Sequence, residues 1–268
     1  WNKIQPGFLP IYKWIFKNKF QEDNEPDILI SCGRKSVYFS LYCKKIFKNL
    51  INIHIQNPKI SSKNFNCVIS PNHDNLNGEN IINSIGALHH LNKNNESVNQ
   101  NLVTCIIGGD NQHYHFDNNE ANELCNKLIE IKNNQKDIEL NIVTSRRTSN
   151  TVKKILIKKL KNISKIWTGE GKNPYMESIK KSSFFIITSD STSMISEAAV
   201  SGKPIYVYHL TFKRKSKRIE NFHKEFSELG ITKDIVNFNH LSNWTYNPLN
   251  ESERIAIIIK KKIIKENI

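Results

Sequence analysis

Short apolar runs recur along the chain: DILIS (27–31), INIHI (51–55), CVIS (67–70), VTCII (103–107), LNIVT (140–144), FFIIT (184–188) and PIYVY (204–208). Each is too short for a helix and predicts a buried strand. Between them lie helix candidates over 34–49, 117–134, 149–161, 174–182 and 192–201. Buried strands alternating with helices point to βαβ units, in which parallel strands are covered on both faces by their crossover helices. The fold class that follows is α/β with parallel sheets.

The stretch NKNNESVNQN (92–101) is polar, Asn-rich and without apolar periodicity, which predicts a linker between two lobes. Residues 1–91 then form a first lobe and 102–243 a second, with a C-terminal helix over 244–268. Within that helix IAIIIKKKIIK (255–265) is amphipathic and basic, suited to packing on a lobe or to lying on a membrane. The chain opens on Trp1 and runs directly into apolar residues without a charged leader or cleavage pattern, so it reads as an internal fragment whose first lobe is incomplete.

A chain of 268 residues with 38% hydrophobic content can bury a sizeable core, which excludes a disordered or collagen-like polymer. The formal net charge of +14 would favour phosphates, anionic lipid or nucleic acid. Lys, Asn and Ile are nevertheless abundant everywhere, so the charge permits such partners without selecting one. Cys32, Cys43, Cys67, Cys105 and Cys125 are odd in number, scattered and never in a CxxC pair, which indicates neither a disulfide framework nor a structural zinc site and fits a reducing cytoplasm. No apolar run reaches the roughly 18 residues of a membrane span, so any membrane role is peripheral, at the inner face.

Polar elbows at the ends of the predicted strands carry the chemistry. In ITSDSTSMISEAAVSGKPIYVY a strand ends at Thr188, a Ser/Thr/Asp cluster follows, a helix runs to Ser201, and Gly202 closes it. Free N–H groups at such a helix start, with the positive end of the helix dipole and the hydroxyls of Ser191, Thr192 and Ser193, suit a diphosphate held without a metal. The plainer alternative is that Asp190 or Ser191 only caps the helix. Glu197 argues for more than a cap, because a capping-box Glu belongs three residues after the cap. It lies instead in the second turn, four residues after Ser193, where a carboxylate could accept ribose hydroxyls.

In CIIGGDNQHYHFD, Gly108 and Gly109 follow a strand and would let a ligand approach the backbone, with Asp110 beside them. His113 and His115 lack a third distant ligand, so they read as a polar loop and no metal is expected. IVTSRRTSN places Ser145, Arg146 and Arg147 at a strand's carboxyl end, where guanidinium groups grip phosphates in two-pronged fashion, just before a helix that Thr148 or Ser149 could cap. WTGEGKNPYMESI offers Asn173, Pro174 and Tyr175 at a helix start; it is either an ordinary turn or a place where Tyr175 stacks on a base or sugar. In the first lobe SCGRKS (31–36), IQNPKI (55–60) and SPNHDN (70–75) again end strands, which brings Arg34, Lys35, Gln56, His73 and Asp74 to one edge, facing a cleft. His73 is the side chain among them suited by its ordinary pKa to act as a base near neutrality.

These segments resemble, in order and over nearly the whole chain, the mitochondrial fission (elongated mitochondria) family of GT-B type glycosyltransferases. SCGRKS is similar to the family's S-x-G-R-x-S, IQNPKI to I-Q-[DN]-P-[RK], SPNHDN to P-x-H-D, and SIGALHHL to x-x-G-A-L-H-x-[IL]. IIGGDNQHY, VTSRRT, GEGKNPY and TSDSTSMISEA complete the series, GEGKNPY departing from the more usual G-x-N-P-Y. The family's opening D-G-K-x-G-H-x-x-Q segment is absent, which accords with a fragment.

The resemblance implies a GT-B-like fold of two Rossmann-like lobes, the second holding a nucleotide sugar and the first the acceptor. It implies that Gly108, Gly109, Asp110, Ser145, Arg146, Arg147, Asp190, Ser191, Ser193, Met194 and Glu197 belong to the signature lining the cleft. The expected function is transfer of a sugar from a nucleotide-diphosphate sugar to an unknown acceptor, such as a lipid-linked or envelope glycan, with no metal and no cofactor. His73 and Asp74 are the candidates for the base, and Arg34, Lys35 and Gln56 stand on the acceptor side. The alternatives are a non-catalytic scaffold at a membrane surface or in organelle division, and a nucleotide-sugar epimerase. Nucleic acid is not an expected partner, since no stacking array, zinc finger or recognition helix accompanies the charge.

Overall fold

The computed structural model describes residues 25–92 and 98–266, with side chains to residue 262. It divides into two compact units, Trp1–Ile85 and Gly86–Ile268.

The first unit holds one parallel sheet, β1 (Ile28–Cys32), β2 (Ile51–Ile55), β3 (Cys67–Pro71) and β4 (Ile81–Ser84), its strands side by side in chain order. Helix α1 (Val37–Ile46) crosses from β1 to β2 and buries Val37, Ser40 and Cys43. Its core is made of two small clusters, Val37–Phe65–Val68 and Cys43–Phe47–Leu50. The helix expected over 34–49 is shorter than its pattern: Gly33 turns with φ 76°, Arg34–Ser36 form a single tight turn, and the α-helix begins at Val37. The Ser36 hydroxyl explains that delay, since it sits on the carbonyls of Cys32 at 2.8 Å and Gly33 at 3.0 Å.

The second unit holds a six-stranded parallel sheet in the order β10-β9-β8-β5-β6-β7, built from β5 (Asn99–Ile107), β6 (Glu139–Thr144), β7 (Ser164–Trp167), β8 (Ser182–Thr188), β9 (Ile205–Tyr208) and β10 (Thr232–Asp234). Chain order runs outward from β5 to β7, then returns to β8 on the other side of β5 and runs outward again to β10. The reversal between β5 and β8 is the topological switch point of a doubly wound sheet. Helices α2 (Asn118–Asn134) and α3 (Asn150–Leu160) bury Leu124, Leu128, Ile131, Val152 and Leu156 in one core with Val103, Cys105, Ile107, Leu140 and Ile142 of the sheet. Next in the chain come α4 (Tyr175–Lys181), α5 (Thr192–Ala199), α6 (Lys217–Glu228) and α7 (Glu251–Glu266). Among the described residues no helix is long and apolar enough to cross a membrane.

The division between units falls at Ile85/Gly86, earlier than the polar stretch 92–101. Residues 93–97 of that stretch lie outside the described residues, but Asn99–Asn101 open β5 instead of linking lobes. Their side chains are exposed, which gives a linker's composition, while their backbone is engaged: Asn99 pairs with Ser182, and the Ser183 hydroxyl donates to the Gln100 carbonyl at 2.8 Å. Gly86–His89 is bound to the second unit, where Ala87 N–H donates to Ser196 Oγ at 2.9 Å and His89 Nε2 lies 3.0 Å from the Ser196 carbonyl. The C-terminal helix begins at Glu251, not 244; ahead of it the Trp244 indole donates to the Gly230 carbonyl at 2.8 Å. Side chains 263–265 of its basic segment lie outside the described residues.

His54, on β2, is completely buried, with Nδ1 2.8 Å from Ser31 Oγ and its ring 5.1 Å from that of Phe65. Burial disfavours the imidazolium and pushes its pKa down to about 4. An unfolded chain titrates this group near 6.5, so between the two values the unfolded state binds the extra proton. Stability therefore stays whole above about pH 6.5 and falls as pH drops toward 4. His54→Leu should remove on the order of 3 kcal/mol of that acid sensitivity in denaturant titrations at pH 7 and pH 4; an equal pH dependence in variant and wild type would refute it.

Candidate functional site

Two strands end side by side at the switch point of the six-stranded sheet: β5 runs into Gly108–Gly109 and β8 into Ser189–Asp190. The Asp190 side chain crosses between them and is withdrawn from solvent. Gly109 N–H donates to Oδ2 at 3.0 Å, Arg147 Nη2 lies 2.7 Å from the same oxygen, and the Thr188 hydroxyl donates to Oδ1 at 2.6 Å. Thr188 in turn accepts Gly108 N–H at 2.8 Å, and the Asn111 amide donates to the Asp190 carbonyl at 3.2 Å. Burial raises the pKa of this carboxyl above the usual range, against the opposing pull of Thr188, Arg147 and Gly109.

The glycines have a different reason from the expected one. A Cβ on Gly108 would lie 2.1 Å from both Asp190 carboxylate oxygens, and one on Gly109 would lie 2.1 Å from the Arg147 carbonyl. What approaches these two positions on the side a Cβ would occupy is the protein's own carboxylate and its own next loop.

The loop after β6 is fixed from beneath. Ser145 N–H donates to the Ile107 carbonyl at 2.8 Å and to Thr148 Oγ1 at 3.0 Å, and Ser145 Oγ accepts Arg147 N–H at 3.1 Å. Thr148 is buried on the Ile107 and Gly108 carbonyls, so Ser149 caps α3, accepting Val152 N–H at 3.3 Å. Both arginines are exposed; Arg147 nevertheless reaches Asp190 with its guanidinium.

At the start of α5, Ser191 is the N-cap and its Oγ accepts Met194 N–H at 3.4 Å. The N–H groups of Thr192 and Ser193 belong to the first turn, where a helix offers no internal acceptor. Ser193 is exposed and Met194 and Glu197 are partly buried. Glu197 Oε2 accepts the hydroxyl of Tyr175, the first residue of α4, in a short hydrogen bond. Burial pushes the Tyr175 hydroxyl pKa far up, and the Glu197 charge adds to it, so the phenol stays a donor. Asn173 fixes that turn, its Oδ1 accepting Tyr175 N–H at 2.9 Å.

Asp110 is exposed and paired with Lys213, which holds its carboxyl below the usual range; its Oδ1 also accepts Phe116 N–H at 3.2 Å. The loop after β9 that supplies Lys213 is tied to the Gly109–Phe116 loop by Lys213 N–H to the His113 carbonyl at 2.8 Å and by Tyr114 stacked on Phe212 at 4.5 Å. Sequence reasoning missed Lys213, as well as Thr188 and His223, whose Nε2 lies 3.0 Å from the Ser189 carbonyl. Among the described residues no group of three or more His, Cys, Asp or Glu could hold a metal ion.

In the first unit the expected polar elbows do follow adjacent strands on one sheet edge, linked by Gly33 N–H to the Ile55 carbonyl at 3.1 Å and Gln56 N–H to the Ile69 carbonyl at 2.8 Å. Arg34, Lys35 and Gln56 are exposed there, Gln56 with φ 81°. His73 is buried at 3% exposure and Asp74, beside it on the same single turn, is half-buried.

Residues 4–263 match the family described as Mitochondrial fission ELM1. The chain is 25% identical to the mitochondrial fission protein ELM1 of Arabidopsis thaliana over 284 aligned positions, covering 90% of this chain and 65% of the relative, just under two thirds of its length. It is 28% identical to an uncharacterized protein of Rickettsia prowazekii (strain Madrid E), covering 88% of this chain and 79% of that one. Among solved structures it is similar to the UDP-GlcNAc 2-epimerase of Methanocaldococcus jannaschii, with 15% identity, TM-score 0.57 and coverage of 94% of this chain and 80% of that one. It is also similar to the UDP-GlcNAc 2-epimerase of Neisseria meningitidis bound to UDP-GlcNAc, with 13% identity, TM-score 0.50 and coverage of 94% and 80%. At such identities the likeness establishes the fold: α/β, GT-B type, with two Rossmann-like parallel sheets.

Gly108→Ala should destabilise the protein by about 1–3 kcal/mol, the usual cost of overpacking, read as a lowered denaturant midpoint. Because the clash is with Asp190, the double variant Gly108→Ala/Asp190→Ala should lose less than the two single losses added together. Strict additivity would show that the two positions do not meet.

Proposed function

This chain belongs to the mitochondrial fission ELM1 family, and from that footing we propose that its second unit binds a nucleotide-diphosphate sugar and serves its transfer to an acceptor hydroxyl without a metal ion. The observation that carries the reading is the arrangement at the switch point. There a helix start with first-turn N–H groups, the Ser191 and Ser193 hydroxyls and an exposed Arg146 follow the carboxyl ends of β8 and β6, the two strands that flank β5.

The diphosphate would lie on Thr192 and Ser193 N–H, with Ser191 donating its own proton while its oxygen caps the helix, and with Arg146 and Arg147 on the charge. Gly108, Gly109, Asp110, Ser145 and Asp190 would shape and fix this frame, and Met194 would pack beside it. Glu197 would take the ribose hydroxyls, with Asn173 and Tyr175 alongside. In the reaction the acceptor oxygen bonds to the anomeric carbon, and the bond from that carbon to the diphosphate oxygen breaks. The nucleoside diphosphate leaves with the electron pair, its growing charge stabilised by the arginines and the helix start. The acceptor's proton passes to a base, for which Asp74 has better access than the buried His73. Arg34, Lys35 and Gln56 are assigned to an acceptor such as a lipid-linked or envelope glycan, at the inner face of the membrane.

An epimerase is the second reading, favoured by the UDP-GlcNAc 2-epimerases to which the fold is similar. It needs no acceptor, so conversion of UDP-GlcNAc incubated with the protein alone would select it over transfer.

Thermal shifts with UDP, GDP, CMP and their sugars test the binding step common to both. Ligand at about 100 times its dissociation constant adds about 2.7 kcal/mol of stability, roughly 5–10 °C for a unit of this size. One nucleotide should give that shift in the wild type and a clearly smaller one in Glu197→Ala. Silence across the panel would leave the family's organelle-division role as that of a non-catalytic scaffold.

A further inference from the structure

A flexible carboxylate meant to receive two vicinal hydroxyls is costly to use, because each of its rotatable bonds must be frozen when the ligand arrives. Glu197 does not carry that freedom. The Tyr175 hydroxyl donates to its Oε2, and Tyr175 is itself placed by the Asn173 side chain, whose Oδ1 accepts Tyr175 N–H at 2.9 Å. A tyrosine has only two side-chain torsions, and Pro174 between the two residues stiffens the turn. The chain of contacts therefore runs from Asn173 through Tyr175 to one oxygen of Glu197, leaving Oε1 for an outside donor.

We propose that Tyr175 is a positioning residue, which holds Glu197 in the one orientation that meets the ribose, so that the Asn173–Pro174–Tyr175 turn sets selectivity for nucleotides that bear both ribose hydroxyls. This rests on Glu197 being the ribose acceptor. It differs from a stacking role for the ring: stacking needs only the aromatic face, which phenylalanine keeps, whereas positioning needs the hydroxyl.

Dissociation constants for UDP and 2′,3′-dideoxy-UDP, with the GDP and CDP pairs measured alongside, separate these roles in wild type, Tyr175→Phe, Glu197→Ala and the double variant. The wild type should prefer the ribonucleotide. Tyr175→Phe should shrink that preference about tenfold, the weight of a hydrogen bond to a charged group, without altering affinity for the dideoxy form. In the Glu197→Ala background Tyr175→Phe should change nothing further, because Tyr175 acts through Glu197. Asn173→Ala, at an exposed position, should weaken the preference in the same direction and serves if the Phe variant folds poorly. An unchanged preference in Tyr175→Phe, with Glu197→Ala abolishing it, overturns the positioning role and leaves the ribose site intact. A wild type that shows no preference, or binds none of these nucleotides, overturns the ribose site and the positioning role together.

Discussion

A carboxylate taken out of water must be met donor by donor, and at Asp190 that requirement organises the carboxyl edge of the second unit. Its two oxygens are supplied by a hydroxyl from the end of β8, an N–H from the loop after β5 and a guanidinium from the loop after β6. Three loops separated by dozens of residues are thereby fixed to a common point. The same demand excludes any side chain at position 108, and the next loop excludes one at 109. A neutral residue at 190 would ask nothing of Arg147. The placement of the Arg147 guanidinium, on an otherwise exposed side chain, depends on this charge.

The sheet order places that charge. Parallel strands end on one edge, and in the order β10-β9-β8-β5-β6-β7 the chain reverses direction only between β5 and β8, so their loops diverge to opposite faces and leave a crevice. Asp190 fills the floor of the crevice, and α5 begins at its rim with Ser191 as cap. In the proposed site a ligand would meet the rim: first-turn N–H groups, exposed hydroxyls, Arg146 and the second carboxylate oxygen of Glu197. In the first unit the sheet keeps chain order without a reversal among the described strands, and its polar elbows share one edge for the simpler reason that all four strands are parallel.

Much of this was legible in the chain. Runs such as INIHI and LNIVT stand almost residue for residue as β2 and β6, because Ile, Leu and Val set their pattern, and the polar Asn52 and His54 of β2 are buried on partners from the fold, the Asn64 carbonyl at 3.1 Å and Ser31 Oγ at 2.8 Å. Strands β4, β7 and β10 escaped notice: IINS, SKIW and TKD are short and partly polar, and all three lie at sheet edges, where one neighbour suffices. Helix α6 had a readable signal in Ile219, Phe222 and Phe226, spaced to fall on one face, but its polar majority masked it. Asn99–Asn101 misled for the opposite reason, since strand pairing uses the backbone and tolerates exposed polar side chains. At the site, spacing located the elbows but could not tell inward from outward. The glycines and Asp190 looked like ligand contacts, and Lys213 was invisible because its partner Asp110 is 103 positions away in sequence.

The two acidic residues of the Ser189–Glu197 segment show why that distinction matters. Asp190 has a short side chain at a strand end, surrounded by donors from its own chain, so burial is tolerable and its charge serves the frame. Glu197 is in the second turn of α5, too far along to cap it, with one donor from Tyr175 and partial exposure. Its hydrogen bond satisfies the buried hydroxyl of Tyr175, so the carboxylate already has a structural part within the second unit, with one oxygen engaged and partial exposure for the rest. In the proposed site the same bond takes on a second use, because a carboxylate already held by one oxygen meets a ribose with less freedom to lose than a solvated one.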